Sequence, residues 1–203
     1  MKLRITYNAP VVLTFTIAAV VVFLINSAIP ETSVWFRAYP YLRGAPTYAG
    51  LVTHILGHES WEHLLGNFML ILLIGPLLEE RYGSMKLLAM ILVTALVTGF
   101  VNLAVSNTAL LGASGIVFMM ILLASMANVR GGEIPLTFIA VAVIYLGGEI
   151  VKSFRADDHV SHMAHLIGGA VGAAFGFIAA GRRRPALATA KAKAPVDLAK
   201  LKI

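Results

Sequence analysis

The residues of this chain whose types and spacing could do chemistry are Ser114, His165, His63 and Asn67. A serine hydroxyl is a weak nucleophile until a neighbouring imidazole takes its proton, and the pair then performs acyl transfer. Ser114 follows Gly112 and Ala113 and opens a fresh apolar run, so it is expected at a helix N-terminus. Free backbone N–H groups and the positive end of the helix dipole face developing negative charge there. A tetrahedral oxyanion needs such donors. His63 and Asn67 are four residues apart, about 40° round a helix, which puts both on one face. They would add side-chain donors to the same oxyanion. Asp157 and Asp158 lie too far back in a loop to orient His165, so the expected arrangement is a Ser-His dyad rather than a triad.

The elements that must position these residues lie in lipid. The chain has 203 residues, of which 59% are hydrophobic and 13% charged, and its mean hydropathy is +0.84. Soluble domains carry about 25% charged residues. A soluble globular domain is therefore excluded, and the apolar stretches are long enough to cross a bilayer at roughly 20 residues per helix. The first, Ile5 to Pro30, reads as a helix from about Pro10 to Ile29. It exceeds the usual 7 to 15 apolar residues of a signal peptide and shows no small-residue cleavage site, so it is read as retained. A second span lies between Glu62 and Glu79. Residues 87–129 form 43 positions without a charge, too long for one crossing, and the break is predicted at Ser106 to Ala113 with a new helix near Ser114. A fifth span is expected from about Pro135 to Ile150, with Glu149 near its end, and a sixth from Met163 to Ala180. The expected fold class is all-α: a polytopic bundle of six transmembrane helices over residues 1–181, followed by a basic tail at 182–203.

Six spans put both termini on one side. Basic residues concentrate on the cytoplasmic side of membrane proteins, and seven of the 16 Lys and Arg residues fall in the last 22 positions. Both termini are therefore expected in the cytoplasm, with the active face outside. The formal charge of +6 belongs to a membrane-surface tail rather than to a nucleic-acid face. Glu31 to Glu62 becomes a long external loop whose Trp35, Phe36, Tyr39, Tyr41 and Tyr48 suit the headgroup region. On the sixth span His165, Gly168, Gly169, Gly172 and Gly176 share about 100° of arc. That stripe of small residues lets another backbone approach closely, and the fourth span, topped by Gly112-Ala-Ser114-Gly115, is the expected partner.

Each feature alone has a plainer meaning. Gly-Ala-Ser-Gly and the glycine stripe serve packing in most apolar helices, and Thr94, Thr98 and Asn102 read as interhelical glue. A zinc-protease motif fails on spacing, since His58 and His63 are five apart where His-Glu-x-x-His needs four. A composite metal site from His54, His58, His162 and His165 lacks the usual carboxylate pattern. No cofactor and no metal are implied. A transporter should show paired broken helices related by a repeat, and none is evident. The joint occurrence of the four polar residues toward one membrane side is what favours catalysis, because an unpaired polar group costs several kcal/mol in hydrocarbon.

In their order the motifs resemble the rhomboid intramembrane serine proteases in their minimal six-helix bacterial form. The matching pieces are His63-Leu-Leu-Gly-Asn67, Glu79-Glu-Arg81-Tyr-Gly83-Ser, Gly112-Ala-Ser114-Gly115 and Ala164-His165-Leu-Ile-Gly168-Gly-Ala-Val-Gly172, within about Thr53 to Ala180. The resemblance implies Ser114 as nucleophile, His165 as general base, and His63 and Asn67, with the backbone at Ser114, as oxyanion donors. It implies cleavage of transmembrane protein substrates near the external face of a bacterial inner membrane. A non-catalytic relative that binds or escorts client helices is the alternative, although such proteins usually lack the serine or the histidine and this chain keeps both. Two departures stand out. The first external loop has no Trp-Arg pair, and Phe118 occupies the place of a tyrosine one turn after the nucleophile. A lateral gate is expected at the fifth span, around Gly147-Gly148 and the loop Lys152 to Ser161.

Overall fold

Helix α1 (Pro10–Ala28) starts at a proline, whose missing N–H is no loss at a first helical position. Its preceding residue, Ala9, is left-handed (φ 50°) and supplies no side-chain cap. The next two amides are satisfied from a distance: Val11 N and Val12 N each donate to the Glu79 carboxylate at 3.0 Å. The same carboxylate accepts from Ser84 Oγ at 2.6 Å, so one acidic group joins the start of α1 to the turn after the next long helix. Glu79 is buried as a result. The second span therefore does not stop at its first acidic residue.

The computed structural model describes residues 6–126, 134–153 and 159–181. Within these, α1 (Pro10–Ala28) is followed by a 3-10 turn (Pro30–Phe36), α2 (Ala45–Thr53) and a second 3-10 turn (His54–Leu56). Then come α3 (Trp61–Tyr82), α4 (Ser84–Val105), α5 (Ser114–Ser125), α6 (Leu136–Ser153) and α7 (His159–Gly181). All the regular elements described are helical, apart from one isolated bridge between Ala38 and Leu110. Four helices are long and apolar enough to cross a membrane: α1, α3, α4 and His162–Ala179 of α7. The apolar parts of α5 and α6 are shorter. The expected break between Ser106 and Ala113 is where α4 ends and α5 begins. The tail at 182–203, the Glu149 side chain and residues 154–158, with Asp157 and Asp158, lie outside the described residues; the rest of the expected Lys152 to Ser161 loop belongs to the ends of α6 and α7.

The bundle faces its solvent with hydrocarbon. Leu65, Met69, Leu73 and Leu77 form an exposed stripe along α3, while Leu64, Phe68, Ile71 and Leu78 of the same helix are buried. One continuous core joins α1, α3, α4 and α5. At its centre α5 is buried almost throughout, from Gly115 to Leu123 with only Phe118 half-buried. Twelve residues rise about 18 Å, well short of the hydrocarbon thickness. The connector from Ser106 to Ala113 is buried at Leu110 and Ala113, so α5 begins inside protein rather than at the rim.

The segment read as a long external loop holds more structure than its sequence announces. Pro46 and a glycine at position 44 (φ 80°) start α2. Ala38 and Leu110 exchange backbone hydrogen bonds at 2.9 Å, Thr53 Oγ1 donates to Trp35 O, and Arg37 pairs with Glu59 at 4.0 Å. These contacts anchor the loop without a Trp-Arg pair. Asn102, buried on α4, donates to Ala38 O at 2.9 Å and to Thr108 O at 3.1 Å. Thr98 of the same face reaches His54 Nε2 at 3.2 Å, whereas Thr94 Oγ1 bonds back to Met90 O of its own helix at 2.7 Å, so the polar glue expected of that face is carried by Asn102 and Thr98.

The most extensive contact between helices joins α5 and α7. A methyl group on Gly168 would collide with the carbonyl of Gly115, and one on Gly172 with the carbonyl of Met119. At Gly147 of α6 nothing lies within 4 Å of the same position. Gly168→Ala is therefore expected to destabilise the protein by about 1–3 kcal/mol, the scale of core overpacking, whereas Gly147→Ala leaves stability unchanged or slightly higher. Unfolding midpoints of both variants in detergent check the contrast, and equal tolerance would refute the contact.

Candidate active site

The chain approaches Ser114 through Gly112, which is held at φ 116° and donates its N–H to His54 O at 2.9 Å. Only glycine adopts this conformation cheaply. It is also walled in: a Cβ there would lie 2.7 Å from His63 Nε2 and 3.8 Å from Asn67 Nδ2. The side chains of His63 and Asn67 thus flank the backbone two residues before Ser114. They reach it from one face of α3, as their spacing requires. Ser114 is the first residue of α5 and is half-buried; its N-cap, Ala113, offers no side-chain acceptor, and no acidic residue occupies the first turn. The first hydrogen bond back to the cap is Val117 N to Ala113 O, at 3.0 Å. The N–H groups of Ser114, Gly115 and Ile116 accordingly have no acceptor within the helix.

On the opposite side stands α7. The Ala164 carbonyl lies 3.4 Å from the Cβ position of Gly115, which sets the neighbouring His165 against the first turn of α5. The His165 ring stacks on Phe118, with centroids 4.4 Å apart and planes 5° from parallel. Phe118 is one turn after Ser114 and on the same face. Its far edge meets Tyr145 of α6 at 5.9 Å. The ring at position 118 needs no hydroxyl for this stack. The structure therefore gathers His63, Asn67, Gly112 and Ala113 on one side of the α5 start, and His165 with Phe118 on the other. His162 lies next to His165, with ring centroids 6.3 Å apart.

His58, whose sequence context suggested at most a metal ligand, organises the first group. Its Nδ1 donates to Leu56 O at 3.2 Å, which leaves Nε2 as an acceptor. Asn67 Nδ2 donates to that nitrogen at 3.1 Å, and Ala113 N at 3.4 Å. His58 thereby orients the Asn67 amide and ties the α5 entry to the loop before α3. His63 packs edge-on against it, with centroids 4.9 Å apart. Five residues before His63 and outside the helix, His58 lies beyond the reach of helical periodicity. His54 has a similar role in the adjoining layer: Nδ1 donates to Gly50 O at 3.0 Å, and Nε2 accepts from Thr98 Oγ1 at 3.2 Å. With these nitrogens engaged, no three His, Asp or Glu side chains among the described residues converge to hold a metal ion.

A helical bundle with four spanning-length helices and polar side chains gathered in its interior defines an integral membrane protein. Residues 45–182 match the Rhomboid domain family model, and the chain belongs to the rhomboid family. It is 32% identical over 150 residues to Rhomboid-related protein 1 of Caenorhabditis elegans, a match covering 68% of this chain and 41% of that protein. It is 29% identical over 140 residues to Rhomboid protease GlpG of Haemophilus influenzae, covering 67% of this chain and 72% of that one. The chain thus spans less than half the length of the worm relative.

Burial lowers both loop histidines from the ordinary value of 6.5 to about 4, with His63 adding to the effect at His58. Both are neutral near pH 7, as their acceptor roles require. Because the unfolded chain takes up these protons at higher pH than the folded one, the stability they contribute is complete above pH 6.5. It is lost as pH falls through the window from 6.5 to 4. For the fully buried His54 the loss is about 3 kcal/mol. Thermal unfolding in detergent is expected to show this decline, and His58→Gln, which keeps an acceptor for Asn67 but cannot titrate, should flatten some of it. A pH-independent midpoint across the window would contradict the arrangement.

Proposed function

We propose that this protein is an intramembrane serine endopeptidase that cleaves transmembrane substrates near the external membrane face with a Ser114-His165 dyad. The observation that carries the reading is the stacking of His165 on Phe118 one turn after Ser114, while His63 and Asn67 flank the backbone at Gly112. In the proposed reaction Ser114 Oγ attacks the scissile carbonyl carbon and His165 takes the hydroxyl proton. The carbonyl oxygen becomes an oxyanion, held by the free N–H groups at the start of α5 and by donors from His63 and Asn67. On collapse the C–N bond breaks and His165 returns the proton to the leaving amine. Water then adds to the acyl-serine with His165 as base, releasing the acid and restoring Ser114.

Water and substrate need separate routes. A cavity of about 270 Å³ lined by Asn26, Ser33, Arg37, His58, Glu59 and Leu111 supports a wet approach from the loop side. Substrate would enter from lipid. A transmembrane helix has its amides already bonded, so residues such as Gly or Ala that weaken it near the cut favour cleavage. We place the lateral entry at α6, where Gly147 and Gly148 have open surroundings. The same reading has α5 and α6 completing six spans over residues 1–181, with both termini and the basic tail in the cytoplasm of a bacterial cell.

Ser114→Ala and His165→Ala are each expected to abolish cleavage of a model transmembrane substrate while the protein stays folded in detergent. His63→Ala or Asn67→Ala should cost on the order of 10²-fold in rate, the scale for losing one oxyanion donor. A fluorophosphonate probe should label the wild type at Ser114 and leave Ser114→Ala unlabelled. Cleavage that survives either dyad substitution would refute the mechanism.

A further inference from the structure

At the end of the bundle away from Ser114, α3 finishes, α4 begins and α7 finishes beside one another. Arg81 is 18 residues after His63 on the same helix, about 27 Å along its axis. A groove of about 570 Å³ opens there. Its walls are apolar, supplied by Met90 and Val93 of α4 and by Phe175 and Ile178 of α7. Its remaining lining includes Arg81, Tyr82 and Lys86, two cations and a phenol.

Among the described residues neither cation has an ion-pair partner. Arg81 Nε is buried and has no hydrogen-bond partner among the described residues, and the guanidinium only approaches the Tyr82 ring, at 5.7 Å. The two neighbouring carboxylates are turned elsewhere. Glu79 binds the α1 amides and Ser84, while Glu80 lines a separate cavity with Asn8 and Pro76. Helix α4 starts beside the groove with no side-chain cap and no acidic residue in its first turn, so its dipole adds positive potential. A half-buried guanidinium without a partner is costly in a membrane protein unless an anion meets it.

We propose that this groove binds one anionic phospholipid, its phosphate held by Arg81, Lys86 and the Tyr82 hydroxyl and one acyl chain lying along Met90, Val93, Phe175 and Ile178. Charge selects the lipid class. A zwitterionic headgroup brings its own cation, whereas phosphatidylglycerol carries a net negative charge that answers the two basic side chains. The apolar walls call for a chain attached to that phosphate, so free phosphate satisfies only half of the site. Basic pockets between transmembrane helices bind acidic headgroups in this manner. Most of the bundle separates the groove from the proposed dyad, so lipid binding there does not depend on the dyad.

The full-length protein, reconstituted in phosphatidylcholine nanodiscs, would be photolabelled with phosphatidylglycerol bearing a photoreactive acyl chain, and the adducts mapped by mass spectrometry. Adducts are expected to concentrate on peptides containing Met90, Val93, Phe175 or Ile178. Unlabelled phosphatidylglycerol should displace them, and phosphatidylcholine or inorganic phosphate should not. Lys86→Gln, at an exposed position where folding is not at risk, should weaken competition by about fivefold, the effect of one basic residue near an anionic surface. Arg81→Gln should weaken it at least as much, with an unchanged unfolding midpoint in lipid-free detergent confirming the fold. Labelling spread evenly over all lipid-facing helices would overturn the proposal. So would equal displacement by phosphatidylcholine, displacement by phosphate alone, or indifference to Lys86→Gln.

Discussion

Backbone contact between α5 and α7 is the constraint from which the rest of the interior follows. In lipid no hydrophobic drive pushes helices together, so close association depends on dispersion contacts between surfaces that fit. Gly168 and Gly172 expose peptide groups on α7, and Gly115 and Met119 present their carbonyls to them. Side chains at either glycine would hold the helices apart. With the two backbones touching, His165 can lie flat on Phe118. The offset between Ser114 and His165 is thus set by main chain, which is stiffer than any side-chain contact. Burial of α5 by α3 and α4 on its other sides leaves it little freedom to slide.

Polar groups inside such a bundle are stable only when each finds a partner, and here the partners come from chain segments far apart in sequence. Glu79 closes the start of α1 across 67 and 68 residues. Asn102 reaches Ala38, and Thr98 reaches His54. The last two bonds join the loop segment before α3 to α4, so that segment belongs to the interior. Removing one partner would leave another buried group unsatisfied, which costs about 1–3 kcal/mol. The loop histidines serve this scheme as neutral rings, each donating from one nitrogen and accepting at the other. That is why lowered proton affinity and structural role go together at His54 and His58.

Much of this was legible in the residues. Charge-free length gave the apolar helices to within a few positions, and the polar interruption at Ser106 to Ala113 marked where α5 begins. Helical spacing put His63 with Asn67 and aligned the α7 glycines. What escaped was carried by loops. Periodicity says nothing about a histidine outside a helix, so the bond from Asn67 to His58 had no signature. Helix α2 was hidden because Tyr, Thr and Ala near Pro46 read equally as an interfacial loop. Glu79 looked like the end of a span, since a carboxylate signals water until its partners, here the amides of Val11 and Val12, are known. For Glu79 the missing information was a pairing 67 and 68 residues away, for His58 a bond nine residues away across a loop.

Around Ser114 several polar atoms satisfy one another: His58 accepts from Asn67 and Ala113, and Gly112 donates to His54. The amides at the start of α5 are left over, because Ala113 cannot cap them. In the proposed reaction this bare helix start, beside the His63 and Asn67 side chains, would offer its amides to the developing oxyanion. A side-chain cap would stabilise the helix by about 1 kcal/mol. It would also occupy the donors that an oxyanion needs. An uncapped start is not peculiar to α5, since α1, α2 and α4 also lack a side-chain cap; at α5 it leaves open the donors that the proposed chemistry would use.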